Sequence, residues 1–228
     1  QLSAAPWLDE QGNFQGAMGL LLDITEHKRA ERQTIESLEH ARQTLEKTVL
    51  TLSSAVAQRD PFTADHQKRV TKLACAIAQE LNYSEKQIDG IRIAALLHDI
   101  GKIAIPAEIL GKPGALNEVE FSLVKTHAQA GYEILKTIEF QWPIAQIVLQ
   151  HHEKMDGSGY PLGLSGDDIL IESRILTVAD VVEAISSHRP YRPALGSQAA
   201  LEEISTIKDK LYDPLIVDVC LHLFEQKN

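Results

Sequence analysis

The first 25 residues combine apolar runs with turn-forming residues, a pattern typical of strands. The segment DEQGN predicts a turn, and FQGAMGLLLDIT after it is an apolar run spaced by glycines. We therefore predict strand structure from residue 1 to about residue 25.

A long polar helix is predicted next, with one narrow apolar seam. Its apolar residues recur at alternating steps of three and four, at Ile35, Leu38, Leu45, Val49, Leu52 and Val56. Arg42 interrupts this a/d pattern once. We predict a coiled-coil helix over residues 26–58 that pairs two chains in parallel. Packing of the same helix against its own chain is the alternative.

The rest of the chain has helical spacing of apolar residues, and no segment there predicts a strand with comparable strength. Ser84 with Gln87, and Asn117 with Glu120, are capping boxes that predict helix starts. Residues 213–214, an Asp-Pro pair, predict the start of the last helix. We predict an all-α fold with a long N-terminal helix and a short β segment.

Three helix details also follow from the pattern. The helix that starts after Ser84 is predicted to end at Gly101, where glycine breaks the helical run. The helix that starts at Asn117 is predicted to continue to His127. In the last helix, Leu215 and Leu221 are predicted among the apolar residues.

Composition excludes several classes of function. The net charge of −10 and the lack of a basic run argue against nucleic-acid binding. No apolar run reaches the roughly eighteen residues of a membrane span. Cys75 and Cys220 do not make a disulfide framework, which indicates a reducing, cytoplasmic location. The chain begins without Met, so we expect a piece of a longer protein and leave membrane association of that protein open.

Several helices carry a His or Asp on a face that is otherwise apolar. His98, His127 and His151 each follow apolar residues at helical spacing, and Asp180 interrupts the apolar run of ILTVADVV. A buried charge is costly unless it is paired or bound to a metal. Imidazoles and carboxylates that meet in one core are typical of a transition-metal site.

The full inventory suits two metal ions. The candidate ligands are His66, His98, Asp99, His127, His151, His152 and Asp180. Seven ligands are too many for one ion that keeps an open position, and two adjacent ions suit hydrolysis at phosphorus. This mixture of ligands suits Fe or Mn without choosing between them.

These residues stand in motifs that resemble a known family. The segments HDIGK, HHEKMDGSGYP and HRPYRP, in order with His66, His127 and Asp180, resemble an HD-GYP domain of the HD phosphohydrolases. The resemblance covers residues 59–228. The segment WLDEQGNFQGAMGLLLDITEHKRAE is similar to the C-terminal end of a PAS sensor domain. We therefore predict a PAS remnant over 1–25, a coiled coil over 26–58 and an HD-GYP domain over 59–228.

The resemblance implies hydrolysis of the bacterial messenger cyclic di-GMP to pGpG or GMP, by hydroxide activated between two metals. It implies that Asp99 bridges the two ions. His66, His98 and Asp180 would complete one ligand set, and His127, His151 and His152 the other.

The resemblance also implies roles for four further residues. Lys102 is expected to meet a phosphate oxygen, while Tyr160, Arg189 and Arg192 are expected to hold the ligand by base stacking and phosphate pairing. The expected partners are cyclic di-GMP, a second copy of the chain through the coiled coil, and an upstream sensor domain.

Two departures and two alternatives qualify the resemblance. Phe62 stands where some members carry a third-metal Glu, so two metals are expected, and His188 replaces the usual acid before RPYRP. One alternative is a metal-holding module that binds the messenger or a partner protein without useful turnover. The other is a hydrolase of a different cyclic dinucleotide, because nothing visible selects the bases.

Overall fold

A computed structural model describes residues 2–57, 63–187 and 196–226. The chain divides into two compact units, Gln1–Lys47 and Thr48–Asn228, and each is described by itself. The division falls inside a helix, about ten residues before the start predicted for the helical domain. The predicted boundaries at residues 25 and 58 remain predictions.

The first unit begins with a two-stranded antiparallel sheet. Strands β1 (Leu2–Leu8) and β2 (Phe14–Leu21) pair along their length. The Asp9 carboxylate accepts the backbone N–H groups of Gln11 at 3.0 Å and Asn13 at 2.8 Å, which closes the turn. The prediction of strands and of a turn at DEQGN is confirmed.

The apolar side chains of the long helix α1 (Thr25–Ala57) differ in their exposure along its length. In the first unit Ile35 and Leu38 are 62% and 66% exposed. In the second unit Val49 and Val56 are only 5% and 2% exposed, because they join that unit's hydrophobic core. The alternative of packing on the chain's own body therefore holds for the last two turns of the helix. Pairing of two chains remains a prediction for its earlier part.

In the second unit the described residues form helices joined by loops, and the one β feature is an isolated bridge. Its α-helices are α2 (Thr63–Glu80), α3 (Glu85–Leu97), α4 (Ala107–Leu110), α5 (Glu118–Lys125), α6 (His127–Leu135), α7 (Ile144–Gln150), α8 (Ile171–Ser186), α9 (Gly196–Thr206), α10 (Lys208–Leu211) and α11 (Pro214–Glu225). Short 3₁₀ helices occupy Ile100–Ala104 and Gly166–Asp168. The all-α prediction is confirmed, and no helix in the described ranges is both long and apolar enough to cross a membrane.

The core lies where α2, α3, α7 and α8 pack on one another. Its largest fully buried side chains include Ile77, Ile88, Ile91, Ile147, Ile175 and Leu176. Burial of one such side chain contributes about 1.5–3 kcal/mol to the free energy of unfolding. This packing therefore fixes the positions of the helix ends relative to one another. Those ends carry most of the candidate ligands.

The helix starts were predicted well, and the ends less so. Both capping boxes are present, and Asp213 caps α11. Helix α3 ends at Leu97 instead of Gly101, because the backbone tightens there into the following 3₁₀ helix.

One other detail was wrong. Thr126 separates α5 from α6, so no single helix runs from Asn117 to His127. Leu215 and Leu221 lie in α11 as predicted, and the buried face of that helix carries Ile216, Val217 and Cys220 while Leu215 is 61% exposed.

Candidate metal centre

The structure brings the seven candidate ligands together from five helical segments. His66 lies on α2, His98 and Asp99 follow α3, His127 begins α6, His151 and His152 follow α7, and Asp180 lies within α8. All are buried except His152, which is half-buried. They reach the same place because α2, α3, α6, α7 and α8 pack on one another there.

The ligand atoms form three groups, in each of which they lie within 4.8 Å of one another. The first is His66 with His98 and Asp180; the second is His127 with His151 and His152; the third is His98 with Asp99 and His151. The third group shares a residue with each of the others. A donor set of imidazoles and carboxylates fits divalent transition metals, so these clusters could hold metal.

Asp99 faces histidines of both outer groups. Its Oδ2 lies 3.4 Å from Nε2 of His98, and its Oδ1 lies 3.6 Å from Nε2 of His127. Burial opposes ionisation, but the charges of Lys102 and His98 hold the pKa of Asp99 well below its usual range. Asp99 is therefore an ionised carboxylate with one oxygen toward each histidine group.

Three of the histidines are oriented by their own backbone. Nδ1 of His98, His127 and His151 lies 2.5–2.7 Å from the carbonyl oxygen three residues earlier, to which it can donate. That arrangement leaves Nε2 of each ring for the cluster. Burial and the neighbouring rings lower the pKa of His151 to about 3, so this ring is neutral, the form that binds metals.

His66 is oriented by a side chain instead. Its Nε2 lies 3.1 Å from Oδ1 of Asp180, and its Nδ1 is hydrogen-bonded to the Glu183 carboxylate. Burial opposes protonation, but the hydrogen bonds to Asp180 and Glu183 raise the pKa of His66 to about 9 in the absence of metal.

Sequence reasoning missed Glu183. A signal was present, since Glu183 follows Asp180 by three residues on the same buried helix, and residues three apart share a helix face. A second acidic residue on this buried helix face indicates that the face meets a polar group inside the protein and is not exposed to solvent.

The loop after the paired histidines is fixed by another residue without a predicted role. The buried Glu153 carboxylate accepts the backbone N–H groups of Leu162 at 2.7 Å and Leu164 at 3.0 Å. Gly159 packs directly on the same residue, because a Cβ there would lie 2.4 Å from Cα of Glu153. The loop is thereby folded back, and the Tyr160 ring lies 4.7 Å from the ring of His152.

Two lysines lie beside this centre. Lys102 places its Nζ 2.8 Å from Oδ2 of Asp99. Lys125 places its Nζ 5.3 Å from the Tyr160 ring and 4.8 Å from the Phe121 ring. Both lysines add positive charge near the centre, and Lys125 does so beside Tyr160.

The remaining predicted positions are Arg189, Arg192, Phe62 and His188. All four lie outside the described residues.

Comparison with known proteins identifies the family. A family model described as HD domain matches residues 51–216. The chain is 40% identical over 193 residues to "Cyclic di-GMP phosphodiesterase response regulator RpfG" of Xanthomonas campestris pv. campestris (strain 8004), covering 84% of this chain and 51% of that one. It is 44% identical over 169 residues to "Cyclic di-GMP phosphodiesterase" of Thermotoga maritima, covering 72% and 45%. The chain belongs to the HD domain family, and it spans about half the length of these curated relatives.

Solved structures share the fold. A Vibrio cholerae cyclic GMP-AMP specific phosphodiesterase (V-cGAP3) superposes with a TM-score of 0.60 at 19% identity, covering 78% of this chain and 48% of that one. The HD domain of the Listeria monocytogenes phosphodiesterase PgpH superposes with a TM-score of 0.55 at 19% identity, covering 77% and 97%. At this identity the likeness concerns the fold alone.

Proposed function

We propose that this chain is a metal-dependent phosphodiesterase that hydrolyses cyclic di-GMP to pGpG or GMP. The observation that carries the proposal is the pair of buried histidine groups joined through Asp99. The names of the relatives at 40% and 44% identity support the substrate. In a longer protein the chain would be the output domain of a sensor.

The proposed cofactors are two divalent ions, Fe or Mn. His66, His98 and Asp180 would hold one, and His127, His151 and His152 the other, with Asp99 shared between them. Two ions in such a site activate water and neutralise phosphate charge. The fit rests on the ionised state of Asp99, the neutral state of His151 and the Nε2 atoms that the histidines direct inward.

The chain's own residues would bind and orient the substrate. Lys102 keeps Asp99 ionised, and its ammonium is near enough to the centre to meet a phosphate oxygen as well. Tyr160 offers an aromatic face beside His152 for a nucleobase. Arg189 and Arg192 are proposed phosphate and base contacts from the sequence alone.

A second candidate is hydrolysis of a mixed cyclic dinucleotide. The chain is 41% identical over 157 residues to "3'3'-cGAMP-specific phosphodiesterase 3" of Vibrio cholerae, an identity similar to that of the cyclic di-GMP relatives. The test therefore includes both cyclic di-GMP and 3'3'-cGAMP.

The experiment is a panel of cyclic dinucleotides incubated with the purified chain under Mn(II) or anaerobic Fe(II), with products separated by chromatography. We expect cyclic di-GMP to be consumed fastest. Faster loss of 3'3'-cGAMP supports the second candidate, and a fully metallated chain without turnover supports the binding module instead. Asp99→Ala should lose metal and activity together, whereas retained hydrolysis would contradict the bridging role of Asp99.

A further inference from the structure

We propose that Glu183 is a positioning residue that sets the affinity of one metal position, the one at His66, His98 and Asp180, without setting the other. This inference rests on the proposed metal positions but not on the identity of the substrate. It concerns a buried carboxylate to which neither the sequence motifs nor the family likeness gave a role.

The histidines differ in the group that holds Nδ1. His98, His127 and His151 each use a carbonyl of the local backbone to hold Nδ1. A substitution elsewhere cannot remove those partners. His66 uses the Glu183 side chain, which comes from α8 and is 117 positions away in sequence. The orientation of His66 is therefore the one among these four that a single side-chain change can disturb.

Glu183 is itself held in place by two further residues. Its Oε1 accepts Nε of Arg69 at 2.6 Å and Oγ of Ser187 at 2.5 Å, which leaves Oε2 for His66. Arg69 lies three residues after His66 on α2, so the carboxylate spans α2 and α8 through two separate contacts. The residue is 6% exposed, and an ionised carboxylate so deeply buried needs several donors of this kind.

Glu183 also changes the strength of His66 as a metal ligand. A carboxylate that accepts Nδ1–H makes the imidazole a more basic ligand at Nε2, and loss of such a partner lowers metal affinity by roughly 10–100-fold. Among the described residues, Glu183 makes its side-chain hydrogen bonds to His66, Arg69 and Ser187, and none to His127, His151 or His152. The effect should therefore reach one position only.

Glu183→Gln is the sharpest perturbation, since it keeps the shape of the side chain and removes its charge. An amide has one oxygen and one NH₂ group, so it cannot accept from His66 on one side and from Arg69 and Ser187 on the other. In one orientation the amide NH₂ faces the N–H of His66, and in the other it faces the N–H of Arg69, so two donors meet in either case.

The test is calorimetric titration of the full metal-stripped chain with Mn(II), with the Mn(II) electron paramagnetic resonance signal recorded at each addition. The wild type should bind two ions. In Glu183→Gln one ion should keep its affinity and the other should bind 10–100-fold more weakly. Equal weakening of both ions, or no change in either, overturns the proposal.

Controls separate this effect from general damage. Glu120→Gln removes a carboxylate that bonds Lys112 and the Asn117 N–H in a helix cap, and it should leave both affinities unchanged. Arg69→Met keeps the Glu183 side chain but removes one of its hydrogen-bond donors, so it should lower the affinity for the same ion by a smaller factor. This variant is the substitute test if Glu183→Gln does not fold. Unchanged binding in Arg69→Met contradicts the proposal. A wild type that binds fewer than two ions refutes the proposed function itself, a result distinct from any of these.

Discussion

Gly101 permits a backbone contact on which the metal centre depends. It lies in the 3₁₀ helix directly after Asp99, and α6 packs against it. A Cβ at this position would lie 1.9 Å from the carbonyl oxygen of His127 and 2.5 Å from the backbone N of Gly131. Both are backbone atoms, so no rotamer change can relieve the clash in Gly101→Ala.

The size of the effect follows from these distances. The 1.9 Å separation must open to at least 3.0 Å, which requires the 3₁₀ helix and α6 to move apart. Overpacking usually costs about 1–3 kcal/mol, and a clash with backbone on both sides places this variant near 3 kcal/mol. The same movement widens the 3.6 Å separation of His127 Nε2 from Asp99 Oδ1 and so disrupts the shared ligand.

Two measurements check this expectation. Urea unfolding of the metal-free protein should show the loss of stability, and metal analysis after reloading should show less than the wild-type content. Gly16→Ala is the control, because a Cβ there would have no heavy atom within 4 Å and should cost little. The reasoning fails if Gly101→Ala unfolds within about 0.5 kcal/mol of the wild type and takes up metal normally.

Three further predictions concern binding, the loop and assembly. Lys102→Met should lower kcat by about 10²-fold, because it removes a donor that stabilises negative charge on the phosphate. A wild-type kcat in steady-state assays would contradict the proposed contact between Lys102 and the phosphate. Glu153→Gln should cost about 1–3 kcal/mol and raise KM, because the amide cannot accept both backbone N–H groups of the loop; unchanged KM and unfolding midpoint would contradict this. Light scattering should give a dimeric mass for the wild type. Leu38→Glu should shift this mass toward that of the monomer, since Leu38 is exposed in the single chain and available for pairing. A monomeric mass for the wild type would contradict the pairing of two α1 helices.

Much of the fold was predictable because its signals are local. A capping box needs only residues three apart, and both predicted boxes are present. The convergence of the candidate ligands was also predictable, since a His or Asp on an otherwise apolar face must find a polar partner inside.

What the sequence did not predict depends on contacts between distant segments. Glu183 is hydrogen-bonded to His66, which is 117 positions away in sequence, and no periodicity of the sequence predicts such a pair. Gly101 was interpreted as a helix end, whereas its role is the close approach of α6. Val49 and Val56 belong to the same apolar seam as Leu38, and only the packed structure distinguishes the part of the seam that is buried.

The most direct test of the account is the number of metal ions bound per chain. The protein is stripped with a chelator, reloaded anaerobically with Fe(II) or Mn(II), desalted and measured by mass spectrometry of the metal against protein concentration. The arrangement of His66, His98 and Asp180 beside His127, His151 and His152 predicts two ions per chain. A value of one or less at saturating metal would contradict a shared centre built around Asp99.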